Sequence, residues 1–374
     1  MFQKTHYVAL ITCLLYFAAI TPTRADTTRF TKSASYTTIP SSKTTKSIYQ
    51  IGVYYYPGWK DNQYGAAYAL PWNQIAPYAE RKPLVGYYPE GDVSVAEKTI
   101  QQMHDYGINY VVYDWYWDGQ KTFLDHAIKA HFAANNKNLE KISILWANHS
   151  SEPRTQTEFT SMVSYWIANY FKHPEYLRID NKPVVFIFSV DALKNKAESF
   201  GSTTLALLNQ ANQMAKSAGY PGIYFVGGVG AGDAAYTYAP NNGYNALSAY
   251  NYHYYTDGKF SHSYPELDHG YRNQWNWILS GSPLPYIIPM TAGWNKKPWG
   301  GSKDPLHDDS VSTPQMFAQH IQAAKTLMNV YPSKTLKTGI ICCWNEFGEG
   351  SYIQPTVKYG TQYLDQVKAT FATP

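Results

Sequence analysis

Eight short apolar runs, separated by amphipathic stretches, constrain the fold of this chain more than any other feature of its sequence. The runs predicted as strands cover residues 49–56, 110–116, 142–147, 183–188, 223–227, 246–252, 286–292 and 339–344. Helical patterns lie between and after them, at residues 95–106, 123–134, 157–171, 204–217, 266–279, 314–330 and 359–370. Strands that alternate with helices pair in parallel, and eight such units with continuous apolar strands favour a closed barrel. We therefore predict an α/β fold, a single-domain (β/α)8 TIM barrel.

Local signals support this division of the chain. Thr313 and Pro314 are typical of a helix N-cap followed by proline in the first turn, and Gly107 and Gly219 stand just past predicted helix ends. The turn after the first strand reads Tyr-Tyr-Pro-Gly-Trp and lacks the glycine pattern that binds a dinucleotide phosphate, which disfavours a doubly wound nucleotide-binding fold. The segment 228–243 is too loop-like to be predicted as a helix.

The first 25 residues have the layout of a secretory signal. Lys4 supplies a basic start, residues 8–20 are apolar, and small residues around Ala25 provide a cleavage point. The apolar run is shorter than the ~20 residues that span a bilayer. We expect a cleaved signal peptide at residues 1–25, a secreted or periplasmic location, a Ser/Thr-rich flexible arm at residues 26–47, and the barrel at residues 48–374.

Charge and cysteine content exclude several classes of function. Lys and Arg number 31 against 27 Asp and Glu, without a basic cluster, which argues against nucleic acid and anionic membranes as partners.

Of three cysteines, Cys342 and Cys343 are adjacent and Cys13 lies in the leader, so no disulfide framework is expected. Alternation along the eighth strand predicts one of the adjacent pair facing inward and one outward, as small buried hydrophobes. No His/Cys cluster indicates zinc, and we predict no metal or cofactor and a monomer.

Aromatic residues are unusually frequent, with 35 Tyr, 11 Trp and 15 Phe, together 16% of the chain. On an exported protein, tyrosine and tryptophan in excess suit sugar binding, because ring faces stack on C–H groups and hydroxyls make hydrogen bonds. The alternative is an aromatic-rich core.

Polar and aromatic residues follow six of the eight apolar runs at once. The active site of a barrel lies at the carboxyl ends of its strands, so these clusters are expected to face one cleft. The candidate substrate-binding residues taken from them are Tyr55, Tyr56, Trp59, Asp114, Trp117, Trp146, Asn148, Tyr250, Tyr252, His253, Trp294 and Asn345.

Glu346 and Glu349 follow the eighth strand on a glycine-containing turn. Hydrolysis of a glycosidic bond needs two carboxyl groups, one to protonate the leaving oxygen and one to act as base or nucleophile. Two glutamates three residues apart at a strand end can point into one cleft, and we predict them as the catalytic pair. The alternative is a pair of solvated loop glutamates.

Other polar residues are open to two interpretations each. Asp114 either binds a sugar hydroxyl or pairs with a neighbouring strand residue. His149 and His253 are either ligand contacts or hydrogen-bonded structural residues. Residues 148–150 match the glycosylation pattern, but their place at a strand end favours a role in the site. Asp304, Asp308 and Asp309 are more consistent with a solvated loop than with a calcium site, because their spacing fits no ligand pattern.

The chain resembles the glycoside hydrolase family 99-like proteins, which include the WbsX type. The segment 344–350, Trp-Asn-Glu-Phe-Gly-Glu-Gly, is similar to the group's W-N-E-W-x-E-G ending, and segments 54–59 and 115–119 are also similar. The segment 293–299 resembles the group's G-W-D-x-x-P-R, with Asn295 in place of Asp and Trp299 in place of Arg. The resemblance spans roughly residues 48–371.

This resemblance implies a function. Family 99 enzymes are endo-acting α-mannosidases or mannanases that retain configuration through a 1,2-anhydro sugar. By resemblance, Glu346 would remove the proton from the 2-hydroxyl, Glu349 would act as acid and then base, and Asn345 would support the first carboxylate or a sugar hydroxyl. We expect a secreted glycoside hydrolase acting on a poly- or oligosaccharide. The alternatives are a glycosyltransferase or assembly factor for surface polysaccharide, and a non-catalytic glycan-binding barrel.

Overall fold

The structure is a computed structural model that describes residues 47–59, 72–150, 152–255 and 257–372. Eight parallel strands form its centre: β1 Gln50–Tyr55, β2 Tyr110–Trp117, β3 Lys141–Trp146, β4 Lys182–Ile187, β5 Tyr224–Gly228, β6 Ala246–Ser248, β7 Ile288–Thr291 and β8 Thr338–Cys342. Each coincides with a predicted run to within a few residues. The expected leader and most of the expected arm lie outside the described residues.

The strands close into a ring. β1 pairs with β2 on one side and with β8 on the other, and β8 pairs in turn with β7. The remaining strands follow in chain order from β2 to β6. The gap between β6 and β7 is bridged at Leu247 and Tyr286. Leu247 N donates to Pro285 O, and Leu247 O accepts from Ile287 N. The predicted (β/α)8 barrel is confirmed.

Helices surround the strands. They are α1 Val93–Asp105, α2 His126–Ala133, α3 Gln156–Trp166, α4 Val190–Ser199, α5 Thr204–Ser217, α6 Tyr264–Gly281, α7 Pro314–Val330 and α8 Gln362–Val367. The predicted cap of α7 is present, because the Thr313 side chain accepts a hydrogen bond from Met316 N. Among these described helices, none is long and apolar enough to cross a membrane.

Two helical features differ from the prediction. Helix α4 begins directly after β4, where Ser189 caps it by accepting from Ala192 N, and the sequence pattern predicted no helix there. The segment 228–243, expected to be a loop, contains the helical turns Ala234–Tyr238 and Ala239–Asn241. Both are short, so their apolar periodicity is weak in the sequence.

The buried core has two layers, one on each face of the strands. Alternate strand residues such as Val53 and Ile144 pack with helix residues including Phe159 and Trp275. The intervening residues, such as Val112 and Ile340, fill the inside of the barrel. Because a strand places successive side chains on opposite faces, the inner layer alone leads toward the open end of the barrel.

The cysteine prediction was wrong. Cys342 and Cys343 are joined by a disulfide across a cis peptide bond, and both are fully buried inside the barrel. Simple alternation at the end of β8 would have placed the two sulfur atoms on opposite faces. The strand ends at Cys342, so the alternation does not extend to Cys343.

Candidate active site

A tight hairpin carries both predicted catalytic glutamates. Directly after β8, the short strand Asn345–Glu346 pairs antiparallel with Ser351–Tyr352. Within the turn, Glu349 N donates to Glu346 O at 3.2 Å. We call this the 345–352 hairpin. It places Glu346 and Glu349 together at the carboxyl end of the barrel, as the sequence predicted.

Two glycines let the hairpin fit between its neighbours. Gly350 has φ +72°, and a Cβ there would lie 2.7 Å from Asn295 N. A Cβ on Gly348 would fall inside the indole ring of Trp299. The turn therefore packs against the loop after β7 with no room for side chains at these positions.

Three neighbouring segments hold the hairpin in place. Asn295 N donates to Glu349 O at 2.6 Å, which ties the loop after β7 to the second glutamate. The buried Arg81 guanidinium donates to Phe347 O at 2.6 Å and to Asn295 O at 3.0 Å. Asn345 is hydrogen-bonded through its side chain to the main chain of Tyr56, after β1.

A second series of hydrogen bonds fixes Asn345, the residue before Glu346. Trp59 Nε1 donates to Asn345 O at 2.9 Å, and Trp59 N donates to the buried carboxylate of Glu90 at 2.8 Å. The same Glu90 oxygen lies 2.8 Å from His126 Nε2. The residue that precedes Glu346 is thus fixed by contacts that reach back to the start of α2.

The environment of Glu349 suits a general acid. Burial raises its pKa to about 7, and the positive charge of Lys296 opposes that shift. A carboxyl group with a pKa near neutrality can hold a proton and still give it up readily. The residue Glu349 as a whole is partly exposed.

Glu346 lies deeper, beside a second acid. It is 2% exposed, and burial together with the charges of Glu349 and Asp114 raises its pKa. The Tyr250 hydroxyl lies 3.2 Å from Glu346 Oε2 and 3.0 Å from Asp114 Oδ2. Hydrogen bonding to Tyr250 works in the opposite direction and lowers both pKa values. Asp114, from β2, is therefore paired through Tyr250 and belongs to the same cluster.

Tyrosines surround these acids. Burial raises the pKa of Tyr54, Tyr56, Tyr116 and Tyr250, and the charge of Asp114 adds to each shift. The ring of Tyr54 lies 5.0 Å from that of Tyr250. These phenols remain protonated through the physiological range, so each keeps its O–H donor.

Four predicted substrate-binding residues do not face this cluster. Tyr55, Trp117, Trp146 and Tyr252 are buried in the outer core layer between the strands and the helices. Tyr55 packs on Tyr113, and Trp146 packs on Phe159 and Trp166. Trp59, also fully buried, supports the hairpin from behind. All five are core residues in the structure. Tyr55, Trp117 and Trp146 lie on strands, where adjacent positions point to opposite faces, and they occupy the outer face.

Other predicted residues lie in the neighbouring loops. Asn148 joins the loops after β3 and β4 by exchanging two hydrogen bonds with Ser189, at 2.9 Å each. His253 and Trp294 contact each other with ring centroids 4.2 Å apart, and burial lowers the pKa of His253 to about 3. His149 stacks against Phe188 with ring centroids 3.8 Å apart. The amide nitrogen and the amide oxygen of Asn148 are thus both hydrogen-bonded to the main chain of Ser189.

The acidic loop is held by its own chain. Asp308 is 2% exposed and accepts from Lys296 N, Ser302 N and Ser302 Oγ, at 2.6–2.7 Å. Asp304 accepts from Leu306 N and from His262. In the described parts of the chain, no group of three or more His, Cys, Asp or Glu side chains could hold a metal ion.

Sequence reasoning missed five residues of the site. Tyr54, Tyr116 and Lys296 stand close to predicted residues, but a lone tyrosine or lysine carries no distinctive signal. Arg81 and Glu90 lie between β1 and α1, outside the strand ends on which the prediction was based. Their near-complete burial, unusual for charged residues, is visible only in the structure.

Comparison with known proteins places the chain in a family. The model of the family described as "Glycosyltransferase WbsX" matches residues 77–367. The chain belongs to the WbsX family. None of the curated proteins compared with this WbsX family member matches it.

Solved structures share the fold. A "glycoside hydrolase-like protein" aligns with a TM-score of 0.66 at 17% identity, covering 90% of this chain and 98% of its own. A GH99 endo-alpha-mannosidase from Bacteroides thetaiotaomicron, in complex with bis-tris-propane, aligns with a TM-score of 0.61 at 14% identity, covering 86% of this chain and 95% of its own. At these identities the similarity establishes the barrel fold of this WbsX family member.

Proposed function

We propose that this protein is a glycoside hydrolase that cleaves a poly- or oligosaccharide, with Glu346 and Glu349 as its catalytic residues. The observation that carries the proposal is the 345–352 hairpin, which presents two carboxyl groups in different environments at the carboxyl end of the barrel. Glu349, with a pKa of about 7, is suited to protonate a leaving oxygen. Glu346 accepts a hydrogen bond that favours its charged form.

The resemblance to family 99 supports a specific route for an endo-acting enzyme, which cleaves an α-mannoside at an internal bond of the glycan. In the first step the Glu346 carboxylate takes the proton of the 2-hydroxyl, O2 attacks the anomeric carbon, and Glu349 gives its proton to the departing oxygen. In the second step Glu349 takes a proton from water, the water oxygen opens the 1,2-anhydro ring, and Glu346 returns its proton to O2. Two inversions at the anomeric carbon give retention.

A secreted or periplasmic location forms part of the proposal. It is supported by the basic start, the apolar run and the small residues at positions 1–25. Mass spectrometry of the mature N-terminus of protein expressed with its full sequence tests it. Cleavage after Ala25 is the expected result, and an intact N-terminus in the cytoplasm would contradict it.

The family description favours a second candidate, a glycosyltransferase. A transferase needs an activated sugar donor and produces a longer glycan without new reducing ends. The two activities are therefore separable in one assay, by adding nucleotide sugars to half of the reactions.

The decisive experiment compares three proteins on a panel of α-mannans, bacterial surface polysaccharides and plant glycans. They are the wild type, Glu349→Gln, and Glu198→Gln, a control at an exposed position on α4. We expect new reducing ends from the wild type and the control, and a loss of about 10²–10⁴-fold in Glu349→Gln. NMR of the first product then gives its anomeric configuration. Equal rates in all three proteins would overturn the assignment, and elongation that depends on a nucleotide sugar would establish the transferase.

A further inference from the structure

Arg81 joins two main-chain carbonyls through a single nitrogen atom. Its Nη1 donates to Phe347 O at 2.6 Å and to Asn295 O at 3.0 Å. A guanidinium Nη1 carries two hydrogens, so these two bonds use both of them. Asn295 N is in turn the donor that Glu349 O accepts, at 2.6 Å. The contacts therefore make a closed circuit through Arg81, Asn295 and residues 347–349, the second half of the segment that connects the two proposed catalytic glutamates.

The carbonyl of Phe347 is the part of this circuit that most needs its donor. Phe347 is fully buried, and a buried carbonyl without a hydrogen bond costs free energy. The next residue is Gly348, and glycine restricts its own backbone less than any other residue. Without the Arg81 donor, we expect the peptide group between Phe347 and Gly348 to rotate toward another donor. That rotation would move Glu349, one residue further on, relative to Glu346.

The two carbonyl bonds are the strongest interactions that the Arg81 charge makes in the described chain. Arg81 is 3% exposed and ends the 3-10 turn Ala79–Arg81, between β1 and α1. Two further contacts are weak: Glu80 Oε1 lies 3.7 Å from Arg81 Nε with the Glu80 side chain 44% exposed, and the Tyr78 ring centre lies 5.1 Å from Arg81 Cζ. Burial of a charged group is costly, and here its short hydrogen bonds to neutral carbonyls offset that cost.

We propose that Arg81 is a positioning residue for catalysis, which fixes Glu349 relative to Glu346 by holding the peptide group between them and the segment that binds Glu349. In this role Arg81 acts through main-chain atoms. The kinetic part of the inference rests on the proposed function. The geometric part, that Arg81 fixes the conformation of the 345–352 hairpin, does not.

Kinetics on a glycan that the wild type cleaves test the positioning role. The variants are Arg81→Met, Arg81→Lys and the control Arg154→Met, whose arginine side chain is 65% exposed. We expect kcat to fall about a hundredfold in Arg81→Met, because a small displacement of a catalytic group is enough, and KM to change by less than about threefold. Both bonds come from one nitrogen, so a lysine ammonium with three N–H donors can replace them, and Arg81→Lys should keep kcat within about tenfold of the wild type. The control should match the wild type.

Added guanidinium ion separates positioning from a loss of stability. Arg81→Ala leaves space for the ion, so low concentrations of guanidinium chloride should restore part of kcat, whereas equal concentrations of sodium chloride or urea should not. A variant impaired only in folding would lose further activity, because guanidinium is a denaturant. Wild-type kcat in Arg81→Met would overturn the proposal. So would the absence of rescue in Arg81→Ala combined with an Arg81→Lys protein as slow as Arg81→Met.

Hydrogen exchange followed by mass spectrometry tests the geometric part without a substrate. In Arg81→Met, peptides that contain residues 295 and 345–352 should exchange faster than in the wild type, and peptides from α5 should exchange at the same rate. Unchanged exchange in the hairpin would refute the inference, even for an active enzyme. Faster exchange in a protein whose wild type cleaves no glycan would support the geometric part and contradict the proposed function, so the two failures are distinguishable.

Discussion

Asn345 and Tyr56 exchange two hydrogen bonds: Tyr56 N donates to Asn345 Oδ1 at 2.9 Å, and Asn345 Nδ2 donates to Tyr56 O at 3.0 Å. The pair joins the segment after β1 to the 345–352 hairpin. Both partners of the amide are main-chain groups, so the contact needs one acceptor and one donor on the same side chain. Of the natural side chains of this length, only asparagine provides both without a change of protonation.

Asn345→Asp therefore tests this link. The carboxylate keeps the acceptor but loses the donor and sets a charge against Tyr56 O, beside the buried Glu346. We expect the free energy of unfolding to fall by about 1–3 kcal/mol, measured by urea denaturation. Asn276→Asp is the control, because Asn276 is exposed and its side chain donates to the helix carbonyl of Arg272. Equal losses in the two variants would contradict a special role for the Asn345 pair.

Lys296 tunes the proposed acid. Its charge lowers the pKa of Glu349, which burial has raised to about 7. Activity that needs protonated Glu349 is present below this pKa and is lost as the pH rises through it. In Lys296→Met the pKa of Glu349 should rise, so the alkaline limb of kcat/KM should move to higher pH. Lys297→Met is the matched control, since Lys297 is exposed and pairs with Asp309 at 3.2 Å. An alkaline limb that moves equally in both variants would show a general charge effect.

Gly348 is predicted to tolerate no side chain. In Gly348→Ala the new methyl group would occupy the indole ring of Trp299, and the resulting shift should cost about 1–3 kcal/mol of unfolding free energy. Gly230→Ala is the comparison, because a Cβ there comes no closer than 3.5 Å to a neighbour. Combining Gly348→Ala with Trp299→Leu should recover part of the loss, measured as a non-additive term in thermal or urea unfolding. Strict additivity would rule out the proposed clash.

Glu90 should contribute to stability through Trp59 and His126. In Glu90→Leu the Trp59 main-chain N–H loses its buried acceptor and His126 Nε2 loses its 2.8 Å contact with Glu90, for an expected cost of about 2–5 kcal/mol. Glu90→Gln keeps an oxygen for Trp59 and should cost less. Glu198→Leu, exposed on α4, should stay within about 0.5 kcal/mol of the wild type. A Glu90→Leu protein as stable as this control would show that the contact contributes nothing.

The sequence predicted the architecture well, because strand and helix periodicities are local properties. Helices α5 and α7 have the predicted bounds, and all eight strands lie where apolar runs occur. Helix α4 was missed because its ten residues include few apolar ones and it follows β4 without a loop.

The site was harder to predict, since it depends on which face a strand residue occupies. Tyr54 and Asp114 point inward, whereas their neighbours Tyr55 and Trp115 point outward. In a barrel surrounded by helices, both faces of each strand are buried, so the residues on both faces are apolar or aromatic. The sequence then shows no alternation of polar and apolar residues that would identify the inward face. The location of Glu346 and Glu349 at the strand end was predictable because they leave β8 on a turn. Their partners Tyr116, Arg81 and Glu90 come from other segments, and proximity in space leaves no mark in the local sequence.

The loop after β7 contacts the hairpin through main-chain atoms of Asn295: its N–H binds Glu349 O, and its carbonyl accepts from Arg81. Neither bond depends on the side chain at position 295. This is the position where asparagine replaces the aspartate of the family pattern. A change of side chain at position 295 therefore leaves both main-chain bonds in place. Any residue other than proline there can hold the second glutamate in the same way, because only proline lacks the N–H that Glu349 O accepts.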